Sequence, residues 1–195
     1  MNYYLKALFS LLIAAWLSGC AHPIVISPDP STLPVASEKI ARNIGFVISA
    51  ADRTREIVSP GGGGDNVSYV PYRDLEFGLY STLSAVFNNA IPLTSQDDKK
   101  AISAQELNLI FVPNIQTTSS SESMFTWPPT FFSIMLDYTL LDATGAQITS
   151  GRVMGEGRAE FSEFKSDFAL SAKRAGSDLF NKLKRKLLST PELKN

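Results

Sequence analysis

The chain is short of the side chains that most enzymes use for nucleophilic and metal chemistry. Its 195 residues hold one cysteine, Cys20, and one histidine, His22. A lone cysteine excludes an internal disulfide and a zinc site of the usual Cys/His type. A lone histidine two residues from it leaves no separate imidazole for a Ser-His-Asp or Cys-His constellation. An excess of either charge is also missing: 18 Lys and Arg face 19 Asp and Glu, a formal net charge of −1. Such a balance gives no long-range attraction to nucleic acid, and no nucleic-acid partner is expected. Nor is there an apolar run long enough to cross a bilayer comfortably. Residues 7–17 make an apolar stretch of eleven, against the roughly 20 that a membrane helix needs.

What stands at the start is an export signal. Lys6 and the free amine precede the apolar run, and small residues, Ser18 and Gly19, lead to Cys20. Leu17-Ser18-Gly19-Cys20 resembles the lipobox of bacterial lipoproteins at all four positions. That resemblance implies that residues 1–19 are removed and that Cys20 carries a diacylglycerol and an N-acyl chain, with no other cofactor and no metal. Each buried methylene contributes about 0.8 kcal/mol, so two or three acyl chains hold a protein to a bilayer where one does not. Ala21 replaces the Asp that favours inner-membrane retention, which implies the outer membrane, with the body facing the periplasm.

Residues 20–43 read as a lipidated tether. Pro23, Pro28, Pro30 and Pro34 keep them out of a helix, and Ile24-Val25-Ile26 can pair at a sheet edge. A single domain is expected over 44–190, with a short tail at 191–195. Ile44, Phe46 and Ile48 alternate as a strand. Residues 59–66, with four consecutive glycines, read as a mobile connection or hairpin tip before a returning strand. Leu75, Leu79, Leu83, Val86, Phe87 and Ala90 predict a helix over 72–89. A buried strand is expected near 107–116, a polar loop over 117–123, a strand over 130–142, a turn at 143–145 and a returning strand from Gln147. Gly151, Gly155 and Gly157 mark bulges or bends in it. A last amphipathic helix is predicted over 163–188, with Phe164, Phe168, Ala172, Ala175, Leu179, Leu183 and Leu187 as its apolar stripe. The fold class is α+β: a small mixed or antiparallel sheet with two amphipathic helices packed on one face, preceded by the tether.

Ala51-Asp52-Arg53-Thr54, followed by Arg73-Asp74-Leu75 and Leu79, resembles the YajG-type lipoproteins of Gram-negative envelopes. In those proteins the first group ends a strand and the second starts a helix. The resemblance covers most of the mature chain, more loosely after Leu93. It implies an address and a fold, and supplies no catalytic residue.

Among the candidate sites, the four glycines lack the Lys-Ser/Thr that a phosphate loop requires. Asp97 and Asp98 read as a solvated charge run, and Asp137 and Asp142, five apart on a strand, face opposite sides of the sheet. The most unusual segment is 124–132, where Phe125, Trp127, Phe131 and Phe132 surround Pro128-Pro129. It reads either as a loop folded back on the core or as an exposed recognition element, since aromatics concentrate at binding hot spots. The functional expectation is a membrane-anchored, non-enzymatic binding or accessory module with an envelope protein as partner. A hydrolase acting on peptidoglycan or lipid through carboxylates is the alternative, and a small-molecule or lipid carrier the second.

Overall fold

In the computed structural model, residues 21–36, 38–122, 124, 126–164 and 167–194 are described; Cys20, the signal segment and Phe125 lie outside them. The elements follow as β1 (His22–Pro23), β2 (Ile40–Val47), α1 (Ala50–Thr54), β3 (Ile57–Pro60), β4 (Asn66–Tyr69), α2 (Pro71–Val86), β5 (Phe87–Leu93), α3 (Lys99–Ala104), β6 (Leu109–Ser120), β7 (Phe131–Asp142), β8 (Gln147–Arg158) and α4 (Leu170–Leu188). Five strands form a sheet in the order β5-β2-β6-β7-β8, and three form a small one in the order β1-β4-β3. β2 runs parallel to both neighbours, whereas β6, β7 and β8 are antiparallel. Parallel pairs need a crossover, and α2 and α3 lie in the two crossover connections. The fold is therefore a mixed α+β arrangement, as the sequence pattern predicts.

Alternation along the strands builds the core. Ile44 and Phe46, Leu109 and Phe111, then Phe132, Ile134, Leu136, Tyr138 and Leu140 are buried on one face beneath α2 and α4. The helices meet them with Leu75, Leu79, Leu83, Ala172, Ala175, Leu179, Leu183 and Leu187. A second, smaller cluster of Leu93, Ile102, Leu107 and Ile110 lies on the other face, under α3. The Tyr138 hydroxyl has its pKa pushed up by burial, so it stays protonated within the core.

The glycines of β8 do not make bulges. A Cβ on Gly155 would strike the carbonyl oxygen of Ala175, and one on Gly157 that of Ser171, so α4 lies backbone-to-backbone on the strand. The register shift in this hairpin falls instead between Leu140 and Leu141. Three residues of α4, four apart, close the outer edge of β8. Arg174 donates to the Arg158 carbonyl (2.7 Å), Asp178 accepts from the Glu156 N–H (3.0 Å) and Lys182 donates to the Met154 carbonyl (3.0 Å). Four residues of helix rise about 6 Å and two residues of strand about 6.8 Å, so the two ladders stay in step. An open edge would invite another strand.

Several expectations are corrected. The body starts at His22, well before residue 44. Ile24 and Ile26 are buried, and the segment runs as a strap over α2 and α4. The Ile24 N–H donates to Ser68 (2.9 Å), and the Ser27 hydroxyl to the Asp74 carbonyl (2.6 Å). Asn181 donates to the Thr32 carbonyl (3.0 Å) and Lys184 to that of Val35 (2.6 Å). Leu193, placed in the tail from sequence, is buried in the core. The helix predicted over 72–89 ends at Val86, and Phe87–Leu93 turns directly into β5, with Phe87, Ala90 and Leu93 buried. Residues 117–120 belong to β6, because their partners on β7 extend as far as Phe131. α4 begins at Leu170, since Asp167 accepts from the Ala169 N–H (3.0 Å) and from Lys173 (2.8 Å) and sets the chain's entry there. Ala51 to Thr54 form the short helix α1, capped by Ser49, and do not end a strand. Arg53 reaches from α1 to Glu76 on α2 at 2.6 Å.

Candidate functional site: the aromatic end beside the N-terminal segment

β3 and β4 form a hairpin whose tip is the glycine run. Gly63 and Gly64 take φ values of 65° and 88°, the left-handed region that glycine enters freely. The tip is docked and does not read as a free connection. The Gly62 N–H donates to the Trp127 carbonyl (2.8 Å), and a Cβ on Gly61 or Gly62 would collide with the carbonyl oxygens of Trp127 and Thr126. Two bare backbones thus lie against each other where side chains would hold them apart.

The loop after β6 is fixed from other sides too. The Ser171 hydroxyl on α4 donates to the Pro129 carbonyl (2.7 Å), the Ala159 N–H to that of Thr130 (3.0 Å), and the Glu122 N–H to the Thr130 hydroxyl (3.1 Å). Beneath it, Tyr69 shares its hydroxyl with Ser59 (3.0 Å) and Thr117 (2.8 Å), and Ser59 meets Ser119 at 2.6 Å. This buried polar network ties the small sheet to β6. Burial pushes the Tyr69 hydroxyl pKa up, so it stays a protonated donor. The Thr126 hydroxyl is buried without a hydrogen-bond partner.

On this base sits an aromatic stack. β1 pairs with β4 at His22 and Val67, which brings the histidine ring over Trp127, with centroids 4.3 Å apart and planes 21° apart. Its Nε2 lies 3.4 Å from Oδ2 of Asp65 on the glycine turn. Trp127 also meets Phe168, with centroids 4.8 Å apart and planes tilted by 51°. Phe168 is half exposed, Phe161 is 67% exposed and Met124 is 81% exposed. Trp127 itself is half-buried and packs against the core.

The four aromatics singled out from sequence therefore do not share one surface. Trp127 belongs to the stack. Phe132 is fully buried in the core, edge-on to Tyr69 at 5.2 Å. Phe131, next in register, points to the opposite face under the Arg158 guanidinium, 5.2 Å away. Phe125 and the acylation candidate Cys20 lie outside the described residues. The sequence reading did not join His22, Asp65 and Phe168 to Trp127, and Phe168, read there as part of the last helix's apolar stripe, precedes α4 and is half exposed. The three sit 105, 62 and 41 positions from Trp127, and no local spacing links them.

The carboxylates raised as candidates are engaged separately. Arg152 binds Asp137 at 2.5 Å and holds its pKa below the usual carboxylate range. Asp142 closes the β7–β8 turn through Thr144 (2.6 Å) and the Ala146 N–H (3.0 Å), which also lower its pKa. Asp98 caps α3. Among the described residues, no three His, Cys, Asp or Glu side chains form a metal-binding group, and no helix is long and apolar enough to cross a membrane.

No known family model matches the chain, and no curated protein matches it in sequence. Solved structures do. A Xanthomonas campestris protein of the DUF330 family is 9% identical, with 87% of this chain and 98% of that one covered and a TM-score of 0.47. A neuraminyllactose-binding hemagglutinin homolog from Helicobacter pylori is 12% identical, covering 83% and 90%, at 0.46. A protein described as a lipoprotein, from Caulobacter crescentus, is 15% identical, covering 73% and 86%, at 0.34. No residue role is carried over from these similarities.

Proposed function

We propose that this chain is an envelope lipoprotein, acylated at Cys20 after removal of residues 1–19, held at the outer membrane with its body in the periplasm, and working as a non-enzymatic binding or accessory module. The YajG-type resemblance agrees with that reading. The observation that carries it is the strap. A free tether over residues 20–43 would give the body a reach of roughly 80 Å. With Ile24, Ile26 and Leu33 buried and the segment bonded to α2 and α4, the body instead begins two residues beyond Cys20. Such mounting suits a module that presents a set surface to a neighbour. The open face of β7 and β8, with Met135, Met154 and the Asp137–Arg152 pair, offers one. The separate structural engagement of Asp98, Asp137 and Asp142 favours binding over carboxylate hydrolysis.

Two measurements test it. Cys20→Ala should move the protein out of the outer-membrane fraction; retention equal to the parent refutes the anchor. A photo-crosslinking residue at Met135 or Met154 should trap a discrete envelope component in cells, while one at Thr144, on the distal turn, should not. Identical patterns at all three positions would count against a presented surface.

A further inference from the structure

We infer that the aromatic end is a second membrane contact: Trp127, Phe168, Phe161 and Met124 rest in the head-group layer of the bilayer that holds the acyl chains. The inference builds on acylation at Cys20 and goes beyond it, since an anchor alone leaves the attitude of the body open.

Distance supports it first. His22 is paired to β4 and stacked on Trp127 at 4.3 Å, so the point where the chain leaves the body is this end. Two peptide units separate position 20 from His22, about 7 Å at most between Cα atoms. The polar layer on each side of a bilayer is of similar depth, about 5–7 Å. An acylated residue 20 therefore brings this rim to the head groups with no slack for another protein to fill.

Chemistry supports it next. Met124 and Phe161 are largely exposed, and Phe168, against Trp127, is half exposed. Exposed apolar side chains gathered at one site mark a contact surface, and tryptophan is enriched at membrane–water boundaries. Several charges here are directed to protein partners: Asp65 to His22, Glu163 to Arg174 at 2.7 Å, and Asp167 to Lys173 at 2.8 Å. The exposed Glu122 and Glu160 are offset in part by Arg158 above Phe131, so the contact rests on the apolar side chains.

The sequence supplies its own probe. Its two tryptophans are Trp16 and Trp127, and the first leaves with the signal segment, so the mature protein emits from Trp127 alone. The test reconstitutes the mature acylated protein into phosphatidylcholine vesicles whose acyl chains carry bromine near the head-group end, beside unbrominated vesicles. Flotation reads the anchor, and loss of tryptophan emission reads the rim. The expected result is flotation with both lipids and marked quenching only in the brominated one. Flotation without quenching would overturn the inference and leave the anchor standing. Failure to float would overturn the anchor itself, the premise of both. A Met124→Ser/Phe168→Ser protein, with the tryptophan and the core intact, should float as before and be quenched less; unchanged quenching would show that the rim does not hold the contact. Shielding of Trp127 from acrylamide in native envelopes but not in lipid vesicles would assign the rim to a protein partner, against the inference.

Discussion

The two faces of β7 and β8 carry residues one position apart and end in different states. Along β7, Phe132, Ile134, Leu136, Tyr138 and Leu140 are all buried under the helices, while Phe131, Ser133, Met135, Asp137 and Thr139 are half exposed. On β8 the covered face carries glycine where a helix backbone must touch, and the open face carries Arg152, Met154, Glu156 and Arg158. The covered side holds the fold together through apolar contact. The open side is spanned by cross-strand pairs in solvent, each weak, and is free to change without unfolding the body. In β7 and β8 the contacts that stabilise the body thus lie on one face of the sheet.

The sharpest way to break that contrast is to cut the covered face. Leu83 and Leu183 are fully buried between the helices and the sheet. Leu83→Ala or Leu183→Ala should each cost about 2–5 kcal/mol in urea denaturation, the range for a leucine truncated in a packed core. A smaller effect is expected from overfilling. Gly157→Ala places a methyl group against the Ser171 carbonyl, which only a shift of α4 can relieve. The cost should be about 1–3 kcal/mol, with faster hydrogen exchange of the Glu156 N–H that Asp178 accepts. By contrast, Arg152→Ala on the open face should leave the midpoint close to the parent, because exposed ion pairs contribute little.

The smallest effect is a pH dependence. Arg174 hydrogen-bonds Glu163 and, with the Glu160 N–H, lowers its pKa from 4.5 to about 2. The folded value lies below the unfolded one. This pair's contribution is therefore complete above the unfolded value and is lost as pH falls through the folded one. Glu163→Gln should therefore be slightly less stable than the parent at neutral pH, and the difference should close as pH falls from about 4.5 to 2. Equal acid profiles would show that the pair does not survive in solution.

Much of this was open to a reading of the sequence. Periodicity placed α2, β6, β7 and β8 and the leucines that face inward, because the repeats of helix and strand are local properties of backbone geometry. The Ala143-Thr144-Gly145 turn was legible for the same reason, and Gly145 indeed takes a φ of 89°. The strap was not legible. Four prolines in the stretch that leads to β2 exclude a helix but say nothing of whether Ile26 meets solvent or α2. The candidate site was legible only at Trp127. The four neighbouring aromatics shared a stretch of chain, yet strand parity sends Phe131 and Phe132 to opposite faces, and which face is covered depends on a helix that begins at Leu170. The same holds for the glycines, read as a mobile tip and as bulges, which the structure uses for close approach. By itself the sequence determined the elements, their inward stripes, and the scarcity of thiol and imidazole. Tertiary structure alone decided that His22 meets Trp127 and Phe168, because that contact joins β1, a loop and the lead into α4 through packing between segments far apart in the chain.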